Sequence, residues 1–253
     1  MQNEASDITI LSSQDGEMIN ATVTISSISH CLRELIENSL DAGSSIISIS
    51  ITNCGLESIV VSDNGSGISR SNFDILCSEG ATSKEFKIIS QTDQRVFNSQ
   101  VNSKCFTQIN SKKSQVKCFS TYSGGRGRAL GAILNISYLT IESSCDNSGH
   151  GYRLTFDKSG QRIIQPISRL KGTTVSVQSI FHGYPVRRHH LLQRKLDEYR
   201  EIEEVIASFS MSTTASINFS IDGKTVTQVH SNKLINRIKS VLGPDVASHM
   251  IHD

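Results

Sequence analysis

The chain has 253 residues, 25 Lys plus Arg against 24 Asp plus Glu, and 37% hydrophobic residues. That length can bury a substantial core in one large domain, or in one domain and part of another. A net charge of +1 gives no global pull toward a polyanion. The polar start MQNEASD has no apolar stretch behind it, which argues against a secretory signal, and no apolar run approaches the roughly 18 residues of a spanning helix. The expectation is a soluble intracellular chain with no membrane partner.

Six cysteines (Cys31, Cys54, Cys77, Cys105, Cys118, Cys145) lie no closer than 13 positions apart, without a C-x-x-C pair. Zinc ligands usually come in paired spacings, so free thiols in a reducing compartment are the better reading.

In chain order, the first clear element runs from about Ser26 to Asp41. Ile28, Leu32, Leu35, Ile36 and Leu40 recur at helical spacing, Glu34, Glu37, Asn38 and Asp41 fall opposite, and Gly43 ends the helix. Residues 45–51 (SIISISI) and 58–62 (SIVVS) read as strands joined by the turn Asn53-Cys54-Gly55, a hairpin that runs into Asp63-Asn64-Gly65-Ser66-Gly67-Ile68. Between Lys84 and Arg128 nine Lys/Arg face only Glu85 and Asp93, among many Ser, Gln and Asn residues, a pattern expected of a mobile basic loop. Gly124-Gly125-Arg126-Gly127-Arg128-Ala129-Leu130 then opens the helical pattern ALGAILNI. Strands are expected around 138–143, 151–157 and 173–179, and a charged amphipathic helix over roughly 189–208. A Thr/Ser break at 212–216 precedes the hairpin INFSIDGKTVTQVH, with Asp222-Gly223 at its turn, and residues 232–243 start a helix. A domain boundary is placed near residue 210, dividing the chain into 1–210 and 211–253.

Three polar clusters carry the chemistry. Glu34 and Asn38, at i and i+4, project from one helix face. That is either a solvated surface or a carboxylate and a carboxamide able to position a water and a hard cation. Asp63 ends a strand and is followed by Gly-rich backbone; such an Asp can accept from an exocyclic amine while glycine lets a flat ring approach. Gly-rich turns after strands are common, so alone the segment is a weak signal. The third cluster, from Gly124 to Leu130, would present backbone N–H groups to an anion, though it is neither a Walker A loop nor a G-x-G-x-x-G turn. In this order the clusters describe a nucleotide pocket with a lid.

The wording of these segments resembles the MutL family of DNA mismatch-repair ATPases. Glu34-Leu35-Ile36-Glu37-Asn38-Ser39-Leu40-Asp41-Ala42-Gly43 is similar to its first motif, Asp63 to Ile68 to its second, and Ala81-Thr82-Ser83-Lys84 to its ATSK segment. Gly124 to Leu130 resembles GFRGEAL, Gly172-Thr173-Thr174-Val175 its GTT-V strand, and Pro185-Val186-Arg187-Arg188 its PVRR signature. The likeness covers roughly residues 20–250 and leans, through SVLG at 240–243, toward the eukaryotic PMS-type branch.

The resemblance implies an α/β two-layer sandwich of the GHKL (Bergerat) ATPase type, followed by the start of a second α/β domain. It implies slow Mg2+-dependent ATP hydrolysis used as a conformational switch. Glu34 would be the general base, Asn38 the Mg2+ ligand and Asp63 the acceptor of the adenine amine, with Gly67 and Thr173 shaping the base pocket. Thr82, Ser83 and Lys84 would form the hinge of a lid over about 84–124, and the backbone amides of Arg126, Gly127, Arg128, Ala129 and Leu130 would cradle the phosphates. The partners implied are a second MutL homologue in a heterodimer, a MutS-type mismatch-recognition complex, and DNA, which Lys112, Lys113 and Lys117 could touch through its phosphates. The location implied is the nucleus.

The sequence departs from the family at Gly125 (a Phe there) and Arg128 (a Glu there), in a lid about twice the usual length, and in an N-terminal segment that keeps only GEMINA at 16–21. It reads as the N-terminal part of a longer protein, short of the second-domain lysine that meets the γ-phosphate. Other readings are a topoisomerase- or chaperone-type GHKL ATPase, which the PVRR segment disfavours, and a module that holds nucleotide without turnover, which Glu34 disfavours.

Overall fold

A computed structural model describes residues 20–78, 129–230 and 234–242. After a helical turn over residues 20–24, helix α1 (Ile28–Asp41) begins at Ser27, whose Oγ accepts from the His30 N–H at 3.0 Å. That contact satisfies one of the four N–H groups a helix start leaves open. Strands β1 (Ile46–Thr52) and β2 (Ser58–Asp63) pair antiparallel across the 3-10 turn Asn53–Gly55, as the sequence predicts. Helix α2 (Ala129–Ile136), strands β3 (Tyr138–Ser144), β4 (His150–Phe156), β5 (Arg162–Ser168) and β6 (Gly172–Gln178), helices α3 (Pro185–Gln193) and α4 (Lys195–Ser212), strands β7 (Ser216–Ile221) and β8 (Lys224–Val229), and helix α5 (Leu234–Leu242) follow.

Among the described residues the strands form one sheet, ordered β5-β4-β3-β6-β2-β1-β7-β8. All neighbours are antiparallel except β1 and β7, whose parallel pairing is reached through α3 and α4. Alternation assigns the faces. Inward rows cross the strands in register: Ile141, Val175, Val61, Ile49 and Phe219 in one, Leu139, Val177, Ile59, Ile51 and Ile221 in the next. Against them pack Ile28, Leu32, Leu35 and Ile36 of α1, Ile133 and Ile136 of α2, and Ile202 and Ile206 of α4. Each such side chain contributes about 1.5–3 kcal/mol by leaving water.

Three details differ from the sequence expectation. The helix over 189–208 is two helices: Pro185 starts α3 one turn earlier, and Arg194 (φ −101, ψ 27) breaks α3 from α4. Strand β5 carries no clear strand signal because Pro166 interrupts RIIQPIS; β5 is the sheet edge, where a missing N–H is tolerated. The hairpin placed beyond the boundary near residue 210 instead belongs to this sheet. β7 takes its main-chain bonds from β1 and buries Ile217 and Phe219 in the same core, since a lone two-stranded hairpin has too little apolar face to stand alone. Its turn is as expected, with Asp222 at φ 48 and Gly223 at φ 78.

Candidate active site

The apolar rows give way to a polar one at one end of the sheet. Ser143, Thr173 and Asp63 are cross-strand neighbours on β3, β6 and β2, and the row returns to apolar at Ile47. Three hydroxyl or carboxyl groups under a helix layer need partners, and each has them. Asp63 Oδ1 accepts from the Gly65 N–H at 2.8 Å, and Oδ2 from the Ser39 hydroxyl of α1 at 3.1 Å. Ser143, fully buried, accepts from the Ile68 N–H at 2.8 Å, donates to the Gly172 carbonyl at 3.0 Å, and lies 2.9 Å from Thr173 Oγ1.

The loop after β2 is pressed so close to its surroundings that side chains do not fit. A Cβ on Gly67 (φ 71) would collide with the Ser144 carbonyl oxygen, and one on Gly172 (φ 126) with that of Asp63. Asn64 fixes the other flank, its Oδ1 accepting the N–H groups of Ser45 and Ile46, each at 2.9 Å.

Glu34 and Asn38 lie on α1, and Asn38 directly precedes the Ser39 that touches Asp63. Glu34 stands one turn further back, about 6 Å along the axis. Its side chain is only 12% exposed, which decides against a freely solvated helix face. His30 Nε2 approaches Glu34 Oε1 at 3.6 Å, and the Ser26 hydroxyl lies 3.3 Å from His30 Nδ1. Beneath, burial pushes the Cys31 thiol up to about 12, with the Glu34 carboxylate adding to the rise. The described cysteines 31, 54, 77 and 145 are free.

Among the described residues no group of three or more His, Cys, Asp or Glu side chains converges on a metal position. The Asn38 carboxamide still fits Mg2+ as a single hard-oxygen donor, because that ion keeps several waters and is completed by substrate phosphates.

Helix α2 contacts α1, with Ala129 buried and Leu130 packed on the core. Of the residues expected at the site, Glu34, Asn38, Asp63, Gly67, Thr173, Ala129 and Leu130 are therefore placed, and Asp63 and Thr173 are neighbours. Thr82, Ser83, Lys84, Arg126, Gly127 and Arg128, with the lid over about 84–124, lie outside the described residues. Sequence reasoning missed Ser39, Ser143 and His30. Ser39 interrupts the buried stripe of α1 and Ser143 the inward alternation of β3, and a polar residue at an inward position is the signal that could have found both.

Residues 25–176 match the family of histidine kinase-, DNA gyrase B-, and HSP90-like ATPases. Among curated proteins, the chain is 34% identical over 185 residues to the mismatch repair endonuclease PMS2 of Mus musculus, covering 72% of this chain and 18% of that protein. It is 33% identical over 236 residues to the DNA mismatch repair protein MutL of Buchnera aphidicola, covering 92% of this chain and 34% of that one. The chain thus spans between about a fifth and a third of the length of these relatives. Among solved structures, its fold is similar to the N-terminal domain of a DNA repair protein (TM-score 0.68, 23% identity, 93% of this chain and 63% of that one). It is also similar to the Aquifex aeolicus MutL ATPase domain complexed with ADP (TM-score 0.55, 18% identity, 85% and 68%). The match over residues 25–176, together with these relatives, shows that the chain belongs to the histidine kinase-, gyrase B- and HSP90-like ATPases and is of the MutL type.

Proposed function

We propose that the chain binds ATP between α1 and the polar end of the sheet and hydrolyses it slowly with Mg2+, as a conformational switch in DNA mismatch repair. The observation that carries this reading is Asp63. It is a carboxylate braced by Ser39 and the Gly65 N–H at the end of a buried strand, beside a loop whose glycines Gly65 and Gly67 are packed against their neighbours. An acceptor held so firmly suits the exocyclic amine of adenine.

Glu34, half-buried one turn from Asn38, would orient the attacking water and take its proton. Asn38 would hold Mg2+, which when bound neutralises phosphate charge. Thr173 would line the base beside Asp63, and the first amides of α2, with those of Arg126, Gly127 and Arg128, would meet the phosphates. Thr82, Ser83 and Lys84 would close over them. The wider setting that goes with this reading is a second MutL homologue as dimer partner, a MutS-type complex, DNA, and a nuclear location as for a PMS-type protein; the names of the curated relatives, a mismatch repair endonuclease and a DNA mismatch repair protein, support the repair role.

The test is Asp63→Asn. Loss of one acceptor should weaken ATP and ADP alike and relax discrimination against GTP, measured by calorimetry. An unchanged adenine preference would place the base pocket elsewhere.

A further inference from the structure

Ser143 reaches no solvent, yet its hydroxyl has every hydrogen-bonding position filled. A serine hydroxyl has one hydrogen to give and two lone pairs to offer. One lone pair takes the Ile68 N–H at 2.8 Å, and the hydrogen goes to the Gly172 carbonyl at 3.0 Å, a partner that can only accept. The second lone pair is left for Thr173 Oγ1 at 2.9 Å, so at that contact Thr173 must be the donor.

The hydrogen of Thr173 is thereby turned toward β3 and away from Asp63. Asp63 is the cross-strand partner of Thr173 on the same face, and its two oxygens are carboxylate acceptors already braced by Gly65 and Ser39. Toward a ligand, the pair offers lone pairs only.

We infer that Ser143 is a positioning residue for base specificity: by fixing the hydroxyl direction of Thr173, it makes the wall formed by Thr173 and Asp63 acceptor-only. Such a wall admits a purine with an amine at position 6 and rejects one with a carbonyl there, because two acceptors facing an oxygen leave it unpaired. The inference rests on the reading that Asp63 holds the base.

The experiment measures binding of ATP, ITP and purine riboside triphosphate (no substituent at position 6) to the 253-residue chain and to Ser143→Ala and Ser143→Cys. In the unsubstituted chain the order should be ATP, then purine riboside triphosphate, then ITP. ITP binding more tightly than the unsubstituted purine overturns the inference without any variant. In Ser143→Ala, Thr173 is free to turn and donate to the carbonyl of ITP, so the ATP-to-ITP ratio should narrow about tenfold, mostly through tighter ITP. Ser143→Cys, nearly the same shape with a poor acceptor, should narrow it in the same direction. Parallel weakening of all three nucleotides, or an unchanged ratio in a folded variant, would show a purely structural role. Asp63→Asn separates the two levels. If it leaves adenine preference intact the base pocket reading has failed; if it relaxes the preference while Ser143→Ala does not, only the role of Ser143 has.

Discussion

Gly67→Ala probes how tightly the loop after β2 is pressed on β3, and the structure supplies its own control. Gly67 and Gly43 have nearly the same left-handed φ, 71 and 72, but a Cβ on Gly43 meets nothing within 4 Å while one on Gly67 collides with the Ser144 carbonyl. Left-handed backbone costs an alanine about 1–2 kcal/mol at either position. The smaller entropy loss of an unfolded alanine offsets part of that equally in both. What separates the variants is the collision, for which forced overpacking in a rigid setting suggests about 1–3 kcal/mol. Before that shared offset Gly67→Ala should therefore lose about 2–5 kcal/mol and Gly43→Ala about 1–2. Urea unfolding would show the difference as a shifted midpoint at unchanged slope. Because the loop must retreat from Ser144 in Gly67→Ala alone, only that variant should also lose nucleotide affinity. Equal midpoints for the two variants would refute the close approach, and with it the account of why glycine stands there.

Glu34→Ala should keep ATP affinity in calorimetry while phosphate release falls about 10²–10⁴-fold, the usual contribution of a general base; turnover at the original rate would remove Glu34 from the chemistry. Asn38→Ala should weaken ATP binding mainly when Mg2+ is present, read by titration with and without chelator. Glu198, 3% exposed on α4 with Oε2 unpartnered, has its carboxyl raised above the ordinary 4.5, first by burial and then by Glu201. The folded state thus holds that proton more tightly than the unfolded chain, so stability falls as pH rises from about 4.5 through the raised value. Glu198→Gln should melt higher than the parent at pH 8 and converge on it near pH 4; a gap that does not depend on pH would dismiss the ionisation.

The sequence shows most of the sheet because its strands obey simple alternation: Ile47, Ile49 and Ile51 point in, and Ser48 and Ser50 out. It shows α1 because one apolar stripe repeats without interruption from Ile28 to Ile36. β5 is hidden because its one proline is harmless only at an edge, and a strand's place in the sheet is a tertiary fact. The membership of β7 and β8 is hidden for a similar reason, since each β1–β7 pair joins residues 170 positions apart in the chain. At the candidate site, Glu34, Asn38 and Asp63 are singled out by the order of the polar clusters and by their resemblance to the MutL motifs. Their supports are not, because Ser39 and Ser143 act through contacts across 24 and 30 positions.

The parallel pairing of β1 with β7 also accounts for the two arginines of the PVRR segment. Parallel neighbours require a crossover, and here α3 and α4 provide it, passing over the start of α1. Arg187 donates to the carbonyls of Thr22 and Ser26, just ahead of α1, and Arg188 to those of Leu56 and Ile180. Each guanidinium joins two backbone carbonyls; Arg187 does so from its two terminal nitrogens, a task for a planar fork, and Arg188 from Nη1 alone. From α4, Glu201 accepts the Ser29 hydroxyl at 3.0 Å. The residues so held, Ser26 and Ser29, bracket Ser27, which caps α1, and Ser26 in turn contacts His30 beside Glu34. Glu34 is therefore fixed from two directions: from its own helix through the buried stripe, and from the crossover through the carbonyls at the helix start. Any displacement of α3 and α4 relative to the sheet must break the Arg187 contacts or carry the first turns of α1 with it. The topology of the sheet and the placement of Glu34 are in this sense one constraint.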